Sequence, residues 1–556
     1  MKNTTKKLLA LFIIISISKI ILSLLVTTPT IYSDEYIYIK MAQSFFQGLN
    51  FNIHNTPTSN YPPLYPILLS LTFLAGNVEY AYILMKILNS ILTTAIIIPA
   101  YLIAKEFLEP KKAIIASVII TLLPMNFVFP AFIMSENLFY TLFLTSLYLI
   151  YKSFTEKNNK YDILAGLFIG LTFLTRFAGI SLILIVIAAL LYKLKKKEFF
   201  EIRKKIIMGL ISLAVVSPWF IRNITLFGFS LRGILGQYSI EATKQVEHYS
   251  LNMFYWSALY ISYLLLASLI IFSILNLSNI KNKLKENKMK MLTIITIITV
   301  LITVLGAAQH ASKSAPKEDT NLPNLIGRPI GRYVDTALPL IMLFGIISYY
   351  KYKETQKSIK KVVLLSVPFI LLSSQLLYFQ LLPVNNISLT ILGLANTILS
   401  KVLPKQITLA IITALLIVIT FVLYTLTKNN KLNKVIPITA LILILTSLAA
   451  NSAITYNSKT YWQNHPQIEL SRWMNNNIPE DAKILIDEDY CGNFNKLNQD
   501  VLCTKGKSTA LTALWILNPV DINNINNKAD YIITRKNLDM ELIKKTENNI
   551  YLYKVS

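Results

Sequence analysis

Two adjacent carboxylates, Asp34 and Glu35, directly follow the first apolar segment and begin a stretch, 37–49, with the pattern of an amphipathic helix. Such a helix is suited to lie in a membrane interface. A carboxylate there can take a proton from a bound group within hydrogen-bond reach. The simpler interpretation is that both residues stabilise the N-terminus of that helix, because acidic side chains are favourable in a first turn. Their position alone does not make them catalytic.

A second group of residues consists of arginines and polar neighbours near the ends of apolar segments. Arginine at the centre of a membrane span costs about 2.5 to 3.5 kcal/mol on insertion scales, and less near the interface. A cluster of arginines therefore indicates an anionic ligand, and a phosphate matches the guanidinium geometry. Each arginine alone could instead extend to lipid headgroups. The members of this group are Glu136, Arg176, Arg222, Arg328, Arg332 and Tyr333.

The elements that position these residues must be membrane helices, because the composition excludes a soluble protein. The chain has 556 residues, of which 54% are hydrophobic and 15% charged, and its net charge is +25. Soluble domains carry about a quarter charged residues. The basic charge is therefore not a sign of nucleic-acid binding, which would be the first interpretation for a soluble chain. We predict membrane lipids, and no nucleic acid, among its partners.

Thirteen apolar stretches are long enough to cross about 30 Å of hydrocarbon. With the N-terminus in the cytoplasm, every strongly basic loop falls on the cytoplasmic side, as the positive-inside rule requires. The loop at 28–79 and the tail from residue 456 then lie outside, and the carboxylates and arginines above face outward. The predicted spans are 8–27, 80–104, 113–130, 132–150, 161–176, 178–192, 206–226, 254–277, 291–309, 333–350, 362–382, 406–427 and 435–454.

The sequence thus predicts an all-α polytopic membrane protein with a small C-terminal extracytoplasmic α/β domain. Residues 1–455 form the membrane domain and 456–556 the outer domain, which has no apolar run of span length. The outer domain alternates a helix with short strand-like runs. These elements are a helix at 464–477 and strands at 483–486, 531–534 and 550–555.

Cysteine and histidine usage gives no support to a metal site. The only cysteines, Cys491 and Cys503, cannot build a zinc ribbon or thiol cluster, and they could form a disulfide outside the cell or stay free. The histidines have no ligand spacing. We therefore predict neither a metal nor another cofactor. The four histidines are His54, His248, His310 and His465.

Six short motifs, distributed over roughly residues 8–350, occur in an order and sidedness typical of one enzyme family. They are Ser33-Asp34-Glu35, Tyr61-Pro62-Pro63-Leu64-Tyr65-Pro66, Met134-Ser135-Glu136, Leu174-Thr175-Arg176-Phe177, Ser217-Pro218-Trp219-Phe220-Ile221-Arg222-Asn223 and Gly331-Arg332-Tyr333. With these motifs the chain resembles the polytopic GT-C glycosyltransferases that use polyprenyl-phosphate sugars. It is similar to the branch of protein O-mannosyltransferases and lipid A aminoarabinose transferases.

The resemblance implies inverting transfer of a sugar, mannose or similar, from a polyprenyl-phosphate or dolichyl-phosphate donor to an acceptor hydroxyl at the outer face. Asp34 matches the family's first-loop aspartate, so it would take the acceptor proton. Glu35 would orient the acceptor or hold the loop. Arginines would neutralise charge that develops on the leaving phosphate. The first candidates for binding that phosphate are Arg332 and Tyr333, with Arg176 and Arg222 in support.

The first loop departs from the family pattern. Members that act on lipid A carry a charged pair before the two prolines, where this chain has Asn60-Tyr61. The phosphate-binding role of a lysine cannot be transferred to Tyr61, and His54 could substitute for it. The lumenal insert of eukaryotic protein O-mannosyltransferases is absent, which weakens protein Ser/Thr as the acceptor. A lipid-linked glycan, an envelope lipid and a surface protein all stay open as acceptors.

A polytopic transporter, or a flippase for lipid-linked glycans, is the alternative function. Many spans and charges within them also suit a transporter. Against a transporter, the hydropathy contains no inverted repeat, and the polar residues concentrate at one face. A flippase would also need outward arginines, but it would stay active without the Asp34 carboxylate.

Overall fold

The computed structural model of the chain describes most of the apolar segments and part of the C-terminal tail. His54, His465, Cys491 and Cys503 lie outside the described residues. The described residues are 2–27, 33–53, 56–59, 61–195, 200–230, 236, 248–313, 320–352, 356–379, 381, 385–428, 435–463, 466–479, 482–486, 529–547 and 549–555.

Most of the described residues form α-helices, as expected for backbone that must satisfy its own hydrogen bonds in lipid. In chain order they are α1 Lys2–Leu24, α2 Ser33–Gly48, α3 Leu64–Ser70, α4 Val78–Thr94, α5 Ile97–Lys105, α6 Pro110–Thr121, α7 Pro124–Val128, α8 Glu136–Thr155, α9 Lys160–Thr175, α10 Ile180–Lys195, α11 Phe200–Phe227, α12 Tyr249–Ala267, α13 Ile271–Ser278, α14 Ile280–Lys283, α15 Asn287–Ser312, α16 Leu338–Lys351, α17 Gln356–Ser373, α18 Thr390–Leu399, α19 Lys405–Lys428, α20 Val435–Asn457 and α21 Pro466–Asn477. Short 3-10 helices include Phe177–Gly179, Gly331–Tyr333, Asp335–Ala337 and Ile387–Leu389.

Each of the thirteen predicted spans contains helix. Among the described residues, nine helices are long and apolar enough to cross a membrane, and two bent pairs raise the number to eleven. The bends are 65° between α6 and α7 and 104° between α12 and α13. The two other predicted spans correspond to α8 and α9. Most of α8 is buried inside the protein, which lets it carry polar side chains that a lipid-facing helix would exclude. Helix α9 has only 16 residues.

The chain divides into two compact units. The first consists of Met1–Ile17, Ile91–Val128 and Glu136–Asn451. The second consists of Ser18–Ser90, Phe129–Ser135 and Ser452–Ser556.

In the first unit, α9 packs against both α8 and α11. Gly166 and Gly170 of α9 face α11: a Cβ atom at Gly166 would lie 2.4 Å from the carbonyl oxygen of Met208, and one at Gly170 would lie 2.7 Å from Cβ of Val215. Small residues four positions apart let two membrane helices approach closely. This approach fixes the end of α9, where Arg176 follows.

The second unit contains helices α2 and α3 and the C-terminal sheet. Strands β1 Asn52–Ile53 and β2 Thr56–Pro57 form an antiparallel hairpin between α2 and α3. The C-terminal sheet has the strand order β3-β4-β6-β5, with β3 and β4 parallel and the other pairs antiparallel. Its strands are β3 Ile484–Ile486, β4 Tyr531–Thr534, β5 Glu541–Lys545 and β6 Tyr551–Lys554.

The structure confirms the helix and the three strands that were predicted in the tail. Strand β5 was missed. Its sequence, Glu-Leu-Ile-Lys-Lys, lacks a clean alternation, and it lies at the edge of the sheet, where charged residues are common.

Candidate active site

The Asp34 carboxylate lies in the first turn of α2, as the sequence predicted for a residue that stabilises a helix N-terminus. It is half-buried, and the Tyr61 hydroxyl donates a hydrogen bond of 2.9 Å to its Oδ1. Tyr61 is 7% exposed, and its ring lies 4.9 Å from the ring of Tyr38. Tyr61 is therefore a neutral hydrogen-bond donor to the Asp34 carboxylate.

Glu35, the next residue, is fully buried and is held at its Oε1 by two donors. The backbone amide of Ile133 donates to it over 2.9 Å, and the Tyr82 hydroxyl donates over 3.3 Å. The Lys86 ammonium group lies 4.5 Å from the Tyr82 ring and donates to the carbonyl oxygen of Val26. These bonds tie the start of α2 to α4 and to the segment before α8. Of the two roles expected for Glu35, they support holding the loop.

A row of tyrosines extends this network within the second unit. The hydroxyl groups of Tyr38 and Ser135 lie 2.8 Å apart. The Tyr65 hydroxyl donates to the side-chain oxygen of Asn89, whose amide donates to the carbonyl oxygen of Phe132. All of these side chains are buried, so the bonds fix the backbone that carries Asp34.

In the first unit, two arginines distant in sequence converge on Glu136, the first residue of α8. Arg176 forms an ion pair with Glu136 Oε1, and Arg332 Nη1 lies 3.3 Å from the same oxygen. Arg176 reaches this point because α9 ends at Thr175 and the backbone of Arg176 is extended. The sequence grouped these three residues as one cluster, and the structure brings them together.

Aromatic side chains surround the arginine pair. The guanidinium carbon of Arg176 lies 5.6 Å from the ring centroid of Tyr333, and that of Arg332 lies 5.5 Å from it. The ring of His310, on α15, meets Tyr333 edge to face at 4.8 Å. Two arginines and one carboxylate give these groups a formal charge of +1. An anion can bind there with little competition from water, since both arginine side chains are largely buried.

The short turn that carries Arg332 is fixed by hydrogen bonds with three residues of two other segments. The Tyr140 hydroxyl donates to the carbonyl oxygen of Arg332 over 2.9 Å, and the Arg332 amide donates to the carbonyl oxygen of Asn385 over 3.0 Å. Asn386 bridges the turn: its oxygen accepts from the Gly331 amide, and its amide group donates to the carbonyl oxygen of Pro329. The arginine is therefore held by its backbone before any ligand binds.

The buried side chain of Asp335 lies just after the same turn and is itself held by hydrogen bonds. The Asp335 carboxylate accepts a 2.9 Å bond from Ser388 and a 3.4 Å bond from the Tyr263 hydroxyl. The Tyr263 ring leaves room only for a glycine at position 331, because a Cβ atom there would lie 2.2 Å from the ring.

Two of the arginines predicted to lie at the site have surroundings that differ from those of Arg176 and Arg332. Arg222 lies over the Trp219 ring at 4.8 Å and donates to the side-chain oxygen of Asn223. Arg328 is exposed. Their proposed contacts with an anion remain predictions, as does the role of His54.

Sequence reasoning missed several residues that build these two groups. Tyr82 and Asn89 lie at helical spacing from Lys86, a charge inside the apolar α4, so the three together could have indicated a buried polar face. His310, Asp335 and Asn386 gave no such signal, because each lies far along the chain from the residues it contacts.

Comparisons with known proteins agree with this architecture. Residues 60–221 match the family described as dolichyl-phosphate-mannose-protein mannosyltransferase. The structure is similar to that of ArnT from Cupriavidus metallidurans bound to undecaprenyl phosphate, with a TM-score of 0.60 and 11% identity over 98% of this chain and 97% of that one. For ArnT in the apo state the TM-score is 0.58, with 11% identity over 99% and 98%. No curated protein matches the sequence.

The chain is thus a multi-pass membrane protein with a GT-C fold. Within that class its fold is of the ArnT type, and it resembles the protein mannosyltransferases over residues 60–221, which confirms the resemblance seen in the sequence. Together these likenesses support a glycosyltransferase.

Proposed function

We propose that this protein is an inverting glycosyltransferase that uses a polyprenyl-phosphate or dolichyl-phosphate sugar. The observation that carries the proposal is the convergence of Arg176, Arg332 and Tyr333 on one buried position of net positive charge. The match to the mannosyltransferase family supports it. So does the fold shared with ArnT, a protein whose structure was solved with undecaprenyl phosphate.

In the proposed reaction, the acceptor hydroxyl attacks the anomeric carbon of the donor sugar. The bond from that carbon to the phosphate oxygen breaks, its electron pair stays on the phosphate, and the configuration inverts. Asp34 takes the acceptor proton, a contribution typically worth about 10²- to 10⁴-fold. Its half-burial and its hydrogen bond from Tyr61 support this role, since the carboxylate is both oriented and reachable.

The arginines act on the leaving group. Arg332 and Arg176 offer fixed positive charge to the phosphate as it gains a second negative charge, so they stabilise the transition state more than the bound donor. Arg222 is a further candidate for contacts to the donor. The acceptor is a lipid-linked glycan, an envelope lipid or a surface protein.

The positive-inside pattern supports a cytoplasmic N-terminus, with the C-terminal domain from residue 456 outside the cell. Transfer would then occur at the outer face of the membrane. Cysteine labelling with a membrane-impermeant reagent tests this in a chain whose Cys491 and Cys503 are replaced by serine: a cysteine introduced in the basic loop at Lys157 should be protected in intact cells, and one at Lys536 should react.

The decisive test is a transfer assay with purified full-length protein in sealed proteoliposomes, with a radiolabelled polyprenyl-phosphate sugar as donor and an envelope lipid extract as acceptor. Wild type should transfer sugar, and Asp34→Asn should lose transfer by about 10²-fold or more at unchanged thermal stability. Movement of a lipid-linked glycan across the bilayer, equal in both proteins and without transfer, would instead indicate a flippase.

A further inference from the structure

Glu136 occupies an anion position inside the arginine cluster. Its Oε1 contacts the guanidinium groups of both Arg176 and Arg332, and its side chain is only 1% exposed. Guanidinium groups bind carboxylates and phosphates with the same geometry. A phosphate bound by the two arginines therefore lies beside a fixed carboxylate, and it is repelled by that carboxylate as well as attracted by the arginines.

We propose that Glu136 lowers the positive charge of this site and so limits the preference of the two arginines for the lipid-phosphate product over the sugar donor. The inference rests on the proposed function and adds a specificity-determining residue to it. The donor is a phosphodiester with one negative charge. The product is a phosphomonoester, which carries a second negative charge above about pH 6.

The discrimination follows from Coulomb's law, because the energy is proportional to the product of the two charges. The repulsion between Glu136 and a doubly charged monoester is twice that between Glu136 and a singly charged diester at the same position. The carboxylate thus weakens product binding more than donor binding. A site that binds lipid phosphate too well would remain blocked after each transfer.

Glu136 should slow the chemical step, because its carboxylate repels the second negative charge that the phosphate gains as the bond to the sugar breaks. Its removal should therefore leave a single turnover at least as fast as in wild type. Product release should become slower, so that the steady-state rate falls below the rate of the first turnover. This split separates a role in charge discrimination from loss of the folded site, which would slow both.

Binding measurements on the full-length protein in phosphatidylcholine nanodiscs test the proposal. The probes are undecaprenyl phosphate and its methyl ester, which differ by one charge at pH 8 and carry the same charge at pH 5. Variants are Glu136→Gln, which is neutral and nearly isosteric, and Glu136→Asp, which keeps the charge. Glu136→Ala serves as a second neutral variant if Glu136→Gln does not fold.

At pH 8, the neutral variant should tighten binding of the monoester by roughly tenfold and of the methyl ester by only about threefold, the square root of that factor. At pH 5 both should tighten equally, and Glu136→Asp should retain the wild-type ratio of the two affinities. Equal tightening of the two probes at pH 8, or a larger tightening of the monoester at pH 5, would overturn the inference. If Arg332→Ala binds undecaprenyl phosphate as well as wild type, the failure lies in the proposed function instead.

Discussion

Replacement of Gly331 by alanine should disable the arginine cluster without changing any charge. Gly331 is buried beside Tyr263, and an added Cβ atom would lie 2.2 Å from both Cζ and the hydroxyl oxygen of that ring. Nonbonded atoms pack at about 3.5 to 4.0 Å. The two residues must therefore separate by more than about 1 Å.

Neither partner can move away cheaply. Tyr263 is fully buried, and its hydroxyl donates to Asp335. The Gly331 amide donates to Asn386. Overpacking of this kind costs about 1 to 3 kcal/mol of stability. If the turn moves, Arg332 moves with it, and a displacement of about 1 Å in a catalytic group can cost roughly 100-fold in rate.

The measured quantities are kcat/KM for sugar transfer and the thermal unfolding temperature, both in the same bilayer preparation. Gly306→Ala in α15 is the matched control, because a Cβ atom there meets nothing within 4 Å. We expect the control to keep its activity and Gly331→Ala to lose about 100-fold. Wild-type kcat/KM for Gly331→Ala would refute the reasoning that the fixed turn positions Arg332.

Three further changes test the packing and the polar network through thermal unfolding. Glu35→Ala should lower the free energy of unfolding by about 1 to 3 kcal/mol for each buried donor left without a partner, and a loss below that range would contradict its anchoring role. Gly170→Val should destabilise the protein by about 1 to 3 kcal/mol or more, because its side chain would collide with α11. Arg472→Ala should change stability by less than about 1 kcal/mol, since its 2.9 Å ion pair with Glu79 is over 40% exposed on both sides. A larger loss would indicate that this pair is not a solvent-screened surface contact.

The sequence was sufficient to predict the elements whose signal is local. Runs of apolar residues located helices at every predicted span, and acidic residues after the first span located the start of α2. The order of motifs also placed Glu136, Arg176 and Arg332 in one group. These features depend on residues close together in the chain, or on the side of the membrane to which each loop is assigned. Both can be predicted from the sequence.

Tertiary contacts between distant segments could not be read in the same way. The bond from Tyr140 to the Arg332 carbonyl spans 192 positions, and Asn386 reaches Gly331 across 55. The sequence could not distinguish the two roles expected for Glu35, because the donors that support holding the loop, Tyr82 and the Ile133 amide, come from distant segments. Polar residues in apolar helices indicate a buried site, but periodicity does not identify their partners.

The central claim is that the buried arginines stabilise the phosphate that leaves the sugar. The most direct measurement is kcat for transfer from a polyprenyl-phosphate sugar by Arg332→Ala at saturating donor. Loss of a preorganised charge of this kind should lower kcat by about 10² to 10³, with thermal stability retained. An unchanged kcat in a folded Arg332→Ala protein would contradict the account.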